Sequence, residues 1–235
     1  MIFISPPFGN YLSINNTISI KGSYTLEPRD GLFIQILNTL RYSFKHDGWI
    51  NKIGLRNKGI DYAIKNYDNK SIISIAILNK EEIPKFLEKI PKSMNLEINV
   101  SCPNIDKNLI DNHLHKFINS ERRWCIIKLS PYCTYEKLDN YYKDGFRQFH
   151  CCNTIPLEDG GLSGSTIIPY SIRLIERLKN KYPNTVVIAG GGIRSIKEMN
   201  RYRLYGPDYY SISTLCFNPI LFYKFYNNII KPKNY

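Results

Sequence analysis

The stretch WCIIKLSPYCTYEKLDNYYKDGFRQFHCC, residues 124–152, holds two apolar runs, 124–129 and 146–152, on either side of an amphipathic segment from Tyr135 to Lys143. Runs apolar on both faces that alternate with helical periodicity belong to a parallel sheet covered by helices, because each parallel connection needs a crossover and the crossover helix buries the strand. The alternation extends outward in both directions. Further apolar runs lie at 2–5, 18–21, 72–77, 96–100, 185–189 and 209–213, with helical patterns at 60–67, 81–90, 107–118, 169–181, 195–205 and 219–230. Eight strands interleaved in this way predict an α/β fold, a (β/α)8 TIM barrel, with function at the strand C-termini.

Two segments break the alternation. About a dozen residues, 6–17, separate the first two runs, too few for a crossover helix, so the first crossover is expected to be reduced to a turn. Residues 25–59 show no clear helix but carry the turn signal His46-Asp47-Gly48, which reads as a β-hairpin excursion after strand 2. No repeat or linker divides residues 1–235, which are expected to form a single barrel domain.

Composition narrows the class. With 43% hydrophobic residues and no apolar run near the roughly 18 to 20 residues of a membrane span, the chain reads as soluble. Residues 1–4 are cut off by Pro6-Pro7 and lack a basic flank, so they are not read as a secretory signal. The six cysteines show no paired metal spacing, which points to free thiols, a cytoplasmic location and no metal. A net charge of +12 would suit a polyanion, but the basic residues are scattered, so nucleic acid is not the expected partner.

Residues 99–105, NVSCPNI, follow an apolar run directly, so the amides of Asn99 and Asn104 and the Cys102 thiol arrive together where a strand gives way to a loop. A lone cysteine is usually a small buried hydrophobe. Here Pro103, without an N–H, stops the strand and favours a thiol presented at its end. Other strand ends carry Lys21-Gly22-Ser23, Lys128-Leu129-Ser130-Pro131, Cys152-Asn153-Thr154 and Ser213-Thr214. Glycines cluster in Gly160-Gly161-Leu162-Ser163-Gly164 and in Gly190-Gly191-Gly192, where bare backbone can approach a ligand and turn N–H groups toward a phosphate. One such loop is ordinarily a tight turn. Two of them with Ser213-Thr214 on one barrel rim suit a phosphate site.

In this order, and over nearly the whole chain, the motifs resemble the class 1 dihydroorotate dehydrogenase family. The resemblance rests on Asn-x-Ser-Cys-Pro-Asn at 99–104, Thr25-Leu26-Glu27-Pro28-Arg29 after Lys21, the segment from Asn51 through Ile53-Gly54-Leu55 to Gly59, and Lys128-Leu129-Ser130-Pro131. It implies an FMN oxidoreductase that converts dihydroorotate to orotate in pyrimidine biosynthesis. It further implies Cys102 as the catalytic base, and Lys21, Asn51, Ile53, Gly54, Leu55, Asn99, Asn104, Asn153 and Thr154 around the substrate. FMN would be held by Gly9, Lys21, Gly22, Asn99, Lys128, Gly164, Gly191, Gly192, Ser213 and Thr214. The reaction removes a hydride from C6 and a proton from C5, and an unperturbed thiol near pKa 8.5 would make the rate climb with pH.

The chain also departs from the family pattern. Only residues 155–159 separate the Asn153-Thr154 pair from the glycine stretch, a shortened lid; Gly31-Leu32-Phe33 replaces a Gly-Asn-Pro; and Ser213 stands where a glycine precedes the last phosphate-binding threonine. The resemblance leaves open whether electrons pass to fumarate in a homodimer or to NAD through a separate electron-transfer subunit. Alternative readings are another FMN barrel for reduced pyrimidines, such as a dihydropyrimidine dehydrogenase-like enzyme or a tRNA dihydrouridine synthase, or a non-catalytic barrel that lost its lid.

Overall fold

The computed structural model describes residues 1–100 and 113–231. Eight parallel strands close into a barrel: β1 (Ile2–Ile4), β2 (Thr17–Tyr24), β5 (Ile72–Ile75), β6 (Leu96–Asn99), β7 (Cys125–Lys128), β8 (Gln148–Cys151), β11 (Val186–Gly190) and β12 (Tyr209–Ile212). Their order around the barrel is β1-β12-β11-β8-β7-β6-β5-β2. Each coincides with an expected apolar run to within about three residues at either end. The barrel is layered by α2 (Gly59–Lys65), α3 (Glu82–Lys89), α4 (Tyr135–Lys143), α5 (Ile168–Lys181), α6 (Ile196–Arg203) and α7 (Pro219–Phe225), the last continued by a π turn, Tyr226–Ile230. Among the described residues no helix is long and apolar enough to cross a membrane.

Strand alternation sorts the side chains. Phe3, Ile20, Ile72, Trp124, Ile126 and Ile188 form their own apolar cluster, with Phe3 meeting Trp124 edge to face at 5.4 Å. Ile4, Ile73, Ile75, Leu96, Ile98, Ile127 and Phe149 belong instead to the larger cluster, which also takes in the helix residues Ile83, Phe86, Leu174, Ile175 and Leu178. The first set plugs the barrel interior; each large side chain buried there contributes roughly 1.5–3 kcal/mol. That plug is the apolar floor on which a polar layer rests.

The first crossover is the expected turn, a single 3-10 turn at Phe8–Asn10. A Cβ on Gly9 would overlap the carbonyl oxygens of Ile4 and Ile20, so this glycine lets the turn lie against β1 and β2. The 25–59 excursion contains the expected hairpin, β3 (Arg41–Ser43) and β4 (Gly48–Asn51), but also a helix the sequence reading lacked, α1 (Leu32–Thr39). Leu32, Phe33, Ile34, Ile36 and Leu37 fall on one side of it, yet Phe33, Ile34 and Leu37 are exposed and no residue of the helix is buried, so it does not pack on a core in the way that helical periodicity is read to imply.

A second correction concerns 160–164. This stretch is strand β10 (Gly160–Gly164), paired antiparallel with β4 and with β9 (Ile155–Leu157) in a four-stranded sheet, β3-β4-β10-β9. The short 155–159 segment is thus one arm and the turn of a hairpin, and only the far end of the glycine stretch reaches the barrel mouth. Of the helix expected over 107–118, residues 107–112 lie outside the described residues and Leu114–Phe117 is a 3-10 turn.

Candidate active site

The second sheet lies against the C-terminal rim of the barrel and the two enclose a cleft of about 490 Å³, open mouth included. Ser5 and Pro6 line it from the end of β1, Lys128 from β7, His150 from β8 and Cys152, Asn153 and Thr154 from just beyond it. Gly191, Gly192 and Ile193 follow β11, Ser211 to Thr214 come from β12 and its end, and Ser163 and Gly164 close the side from β10. Gly191 (φ +89°) and Gly192 (φ +73°) adopt the left-handed backbone that favours glycine, and a Cβ on Gly192 would stand 2.7 Å from Gly164 O. The Tyr202 hydroxyl, on α6, reaches the carbonyl oxygens of Gly190 (3.0 Å) and Gly191 (2.7 Å) and fixes this loop from beneath. From outside, Asp47 on the β3–β4 turn accepts from Arg194 Nη1 (2.8 Å) and Ser165 Oγ (2.9 Å), tying the second sheet to the same loop.

Above the plug the barrel interior turns polar. Ser74 pairs in register with Glu97, and Lys128 with His150. Ser74 Oγ donates to Glu97 Oε1 (2.9 Å), His150 Nδ1 lies 2.7 Å from Glu97 Oε2, and Lys128 Nζ stands 3.8 Å from Glu97 Oε1. Burial would raise the Glu97 carboxyl, but Lys128, His150 and the hydrogen bonds from His150 and Ser74 outweigh it and hold the pKa at about 2. Burial lowers the His150 pKa despite Glu97, so the imidazole is neutral near pH 7.

The network continues to the rim. Ser23 Oγ meets Ser74 Oγ at 2.9 Å, Asn99 Nδ2 donates to Ser23 Oγ (3.1 Å), and Asn153 Nδ2 donates to Asn99 Oδ1 (3.0 Å). Two expected amides, Asn99 and Asn153, and Lys128 are therefore joined to Glu97 in one chain of contacts. Glu97, His150, Ser23 and Ser74 were not singled out as site residues from the sequence. A carboxylate and an imidazole inside strands otherwise rich in isoleucine were the available signal, since buried charge needs a partner.

Other expected residues fall differently. Thr154, Gly164, Gly191, Gly192, Ser213 and Thr214 line the cleft, with the Ser213 hydroxyl donating to Pro6 O (2.9 Å). Asn51 sits opposite Gly161, whose Cβ would come 2.8 Å from Thr154 Oγ1, so it neighbours the rim. Ile53, Gly54 and Leu55 follow β4 in a turn with positive φ at Gly54 and Leu55 and do not line this cleft. Gly9 and Gly22 answer to backbone packing: Gly22 (φ +126°) lies where the β2–β5 register shifts.

Lys21 requires a correction. Ile20 points into the barrel, so the alternation turns Lys21 outward, where Nζ pairs with Asp68 Oδ2 at 2.6 Å, before β5 and away from the cleft. Cys102 and Asn104 lie outside the described residues. Cys152 does line the cleft, but burial pushes its thiol up to about 12, so it stays protonated.

These shifts predict acid sensitivity. Below its ordinary value of 6.5 the unfolded chain takes a proton at His150 that the folded chain refuses, and below 4.5 it does the same at Glu97. The unfolded state then binds more protons, so stability falls as pH falls. Urea unfolding from about pH 7.5 down to about pH 5 should show this loss, and His150→Leu should flatten its upper part. An equally steep decline in the variant would mean His150 titrates normally.

No protein-family model matches the chain. The catalytic subunit of dihydroorotate dehydrogenase B (NAD(+)) from Thermotoga maritima is 25% identical over 250 residues, covering 92% of this chain and 91% of that protein. The same subunit from Anoxybacillus flavithermus is 27% identical, covering 88% and 75%, and a putative dihydroorotate dehydrogenase A (fumarate) from Streptococcus agalactiae is 27% identical, covering 81% and 72%. The chain is similar in sequence to class 1 dihydroorotate dehydrogenases. Among solved structures, ligand-free dihydroorotate dehydrogenase from Eimeria tenella superposes with a TM-score of 0.72 over 97% of this chain and 82% of that one at 15% identity, a likeness of fold. The resemblance seen in the sequence motifs and these relatives agree on one family.

Proposed function

We propose that this chain is an FMN-dependent dihydroorotate dehydrogenase that oxidises dihydroorotate to orotate. One observation carries the reading: Lys128, Asn99 and Asn153 are linked at a barrel mouth whose other wall is a glycine loop free of side chains. The family relationship favours this substrate over other reduced pyrimidines.

The cleft fits such a cofactor in the chemistry of its lining. The Gly191 and Gly192 backbone, with Thr214, would hold the phosphate; Lys128 supplies positive charge at the cleft floor, where negative charge is best accommodated. Bound FMN would accept the hydride from C6 of the substrate. Asn99 and Asn153, with Asn51, Asn104 and Thr154, offer amide and hydroxyl donors and acceptors matching a flat pyrimidine carboxylate. Cys102 takes the proton from C5; Cys152, held protonated, does not compete for that role. Lys21 has no part in this arrangement.

We place the enzyme in the cytoplasm as one barrel domain, in keeping with free thiols at Cys125, Cys133, Cys151, Cys152 and Cys216. Its electrons go either to a separate electron-transfer subunit and NAD or to fumarate in a homodimer; the names of the B-type and A-type relatives correspond to these two acceptors. The purified protein is expected to be yellow, or to bind added FMN stoichiometrically, and to bleach when dihydroorotate is added without oxygen. Protein that binds no flavin would end the dehydrogenase reading.

A further inference from the structure

His150 lines the cleft but has no part in the reaction just outlined. Its side chain is 2% exposed, and its two ring nitrogens face different surroundings. Nδ1 is 2.7 Å from Glu97 Oε2. Nε2 makes no hydrogen bond to any described residue and stands beside Gly190, where a Cβ would come within 2.6 Å of it. Only glycine at 190, the base of the glycine loop, leaves that nitrogen its space.

The tautomer follows from Glu97. This carboxylate accepts from Ser74 and faces the Lys128 ammonium, so it is ionised and can only accept. His150 Nδ1 therefore carries the proton, and in a neutral imidazole Nε2 then carries a lone pair. Burial in the low-dielectric barrel and the nearby Lys128 charge keep the ring neutral. An acceptor that faces the cleft and takes no hydrogen bond from any described residue is open to a donor on a ligand bound there.

We propose that His150 is a ligand-contacting residue whose Nε2 accepts a hydrogen bond from an N–H or O–H of the flavin, with Glu97 as the positioning residue that fixes the tautomer. This rests on the FMN reading. An oxidised flavin ring offers a single N–H, at N3, and its ribityl chain offers hydroxyls; both are donors of the kind Nε2 requires. An acceptor here selects against ligands that present only carbonyl or aza lone pairs at this point of the cleft.

Histidine-labelled protein observed by nitrogen NMR, before and after FMN is added, tests the assignment. In the flavin-free chain Nδ1 should appear protonated and Nε2 unprotonated near neutral pH; with FMN, Nε2 should stay unprotonated and shift toward the hydrogen-bonded range. His150→Leu should weaken FMN binding on the order of tenfold, while His150→Gln, whose amide oxygen can accept, should recover most of the loss. Should 3-methyl-FMN bind the parent as weakly as FMN binds His150→Leu, the donor is the ring N–H; a 2′-deoxyribityl analogue with that behaviour assigns it to the chain. A protonated Nε2, or an Nε2 signal and affinity indifferent to FMN and to His150→Leu, overturns the proposal while leaving the FMN reading intact. Failure of the parent to bind any FMN removes both.

Discussion

Cys102→Ala is expected to keep its flavin and to bind orotate, yet to slow flavin reduction by dihydroorotate by roughly 10²–10⁴-fold, the usual loss on removing a general base. The reasoning is chemical. Dihydroorotate must lose a proton from C5 as the hydride leaves C6; burial holds the Cys152 thiol near 12 and so keeps it protonated, which leaves the motif cysteine, Cys102, as the thiol proposed for this step. In the sequence Cys102 stands directly before Pro103, whose missing N–H disfavours a continuing strand. Cys102→Ser should be similarly slow near neutrality, because a hydroxyl is much harder to deprotonate than a thiol. In the parent the reduction rate should rise with pH through the thiol titration. Anaerobic rapid mixing, following the flavin absorbance, measures each of these. If the alanine variant reduced its flavin at the parent rate, Cys102 would be a packing residue and the mechanism would need another base.

The barrel was legible because parallel strands buried on both faces must be apolar throughout, and runs such as 72–77 and 124–129 leave little else for them to be. Helix α1 was not, because its register against the second sheet is set by tertiary contacts and its own apolar residues stay exposed. Within the site, amides at strand ends were readable from a motif. The direction of a side chain required the alternation to be anchored: once Ile20 is known to join the interior plug, Lys21 must point outward to Asp68. Glu97 was hidden by its neighbours Leu96 and Ile98, and its significance depends on partners 23, 31 and 53 positions away at Ser74, Lys128 and His150. Such long-range pairings follow from barrel closure, which local periodicity does not encode.

That buried triad yields the second large effect. Glu97→Gln should destabilise the protein by about 3 kcal/mol or more, since it strands the Lys128 ammonium, 8% exposed, without a counter-charge. Lys128→Met should also destabilise, leaving the Glu97 carboxylate to His150 and Ser74 alone, and should weaken FMN binding because the cleft floor loses its cation. The double variant removes both charges together, so its loss should fall short of the sum of the singles by roughly 1–3 kcal/mol, as for residues in direct contact. Denaturant unfolding of the four proteins, without flavin, gives this coupling independently of any catalytic assay. Additive losses would mean that the 3.8 Å separation hides solvent between the groups, and Lys128 would then be free to turn its full charge to the ligand. A strong coupling means the opposite: Glu97 offsets most of the Lys128 charge until a ligand draws the ammonium away, so the cation proposed to hold the flavin is also one that the fold itself keeps in place.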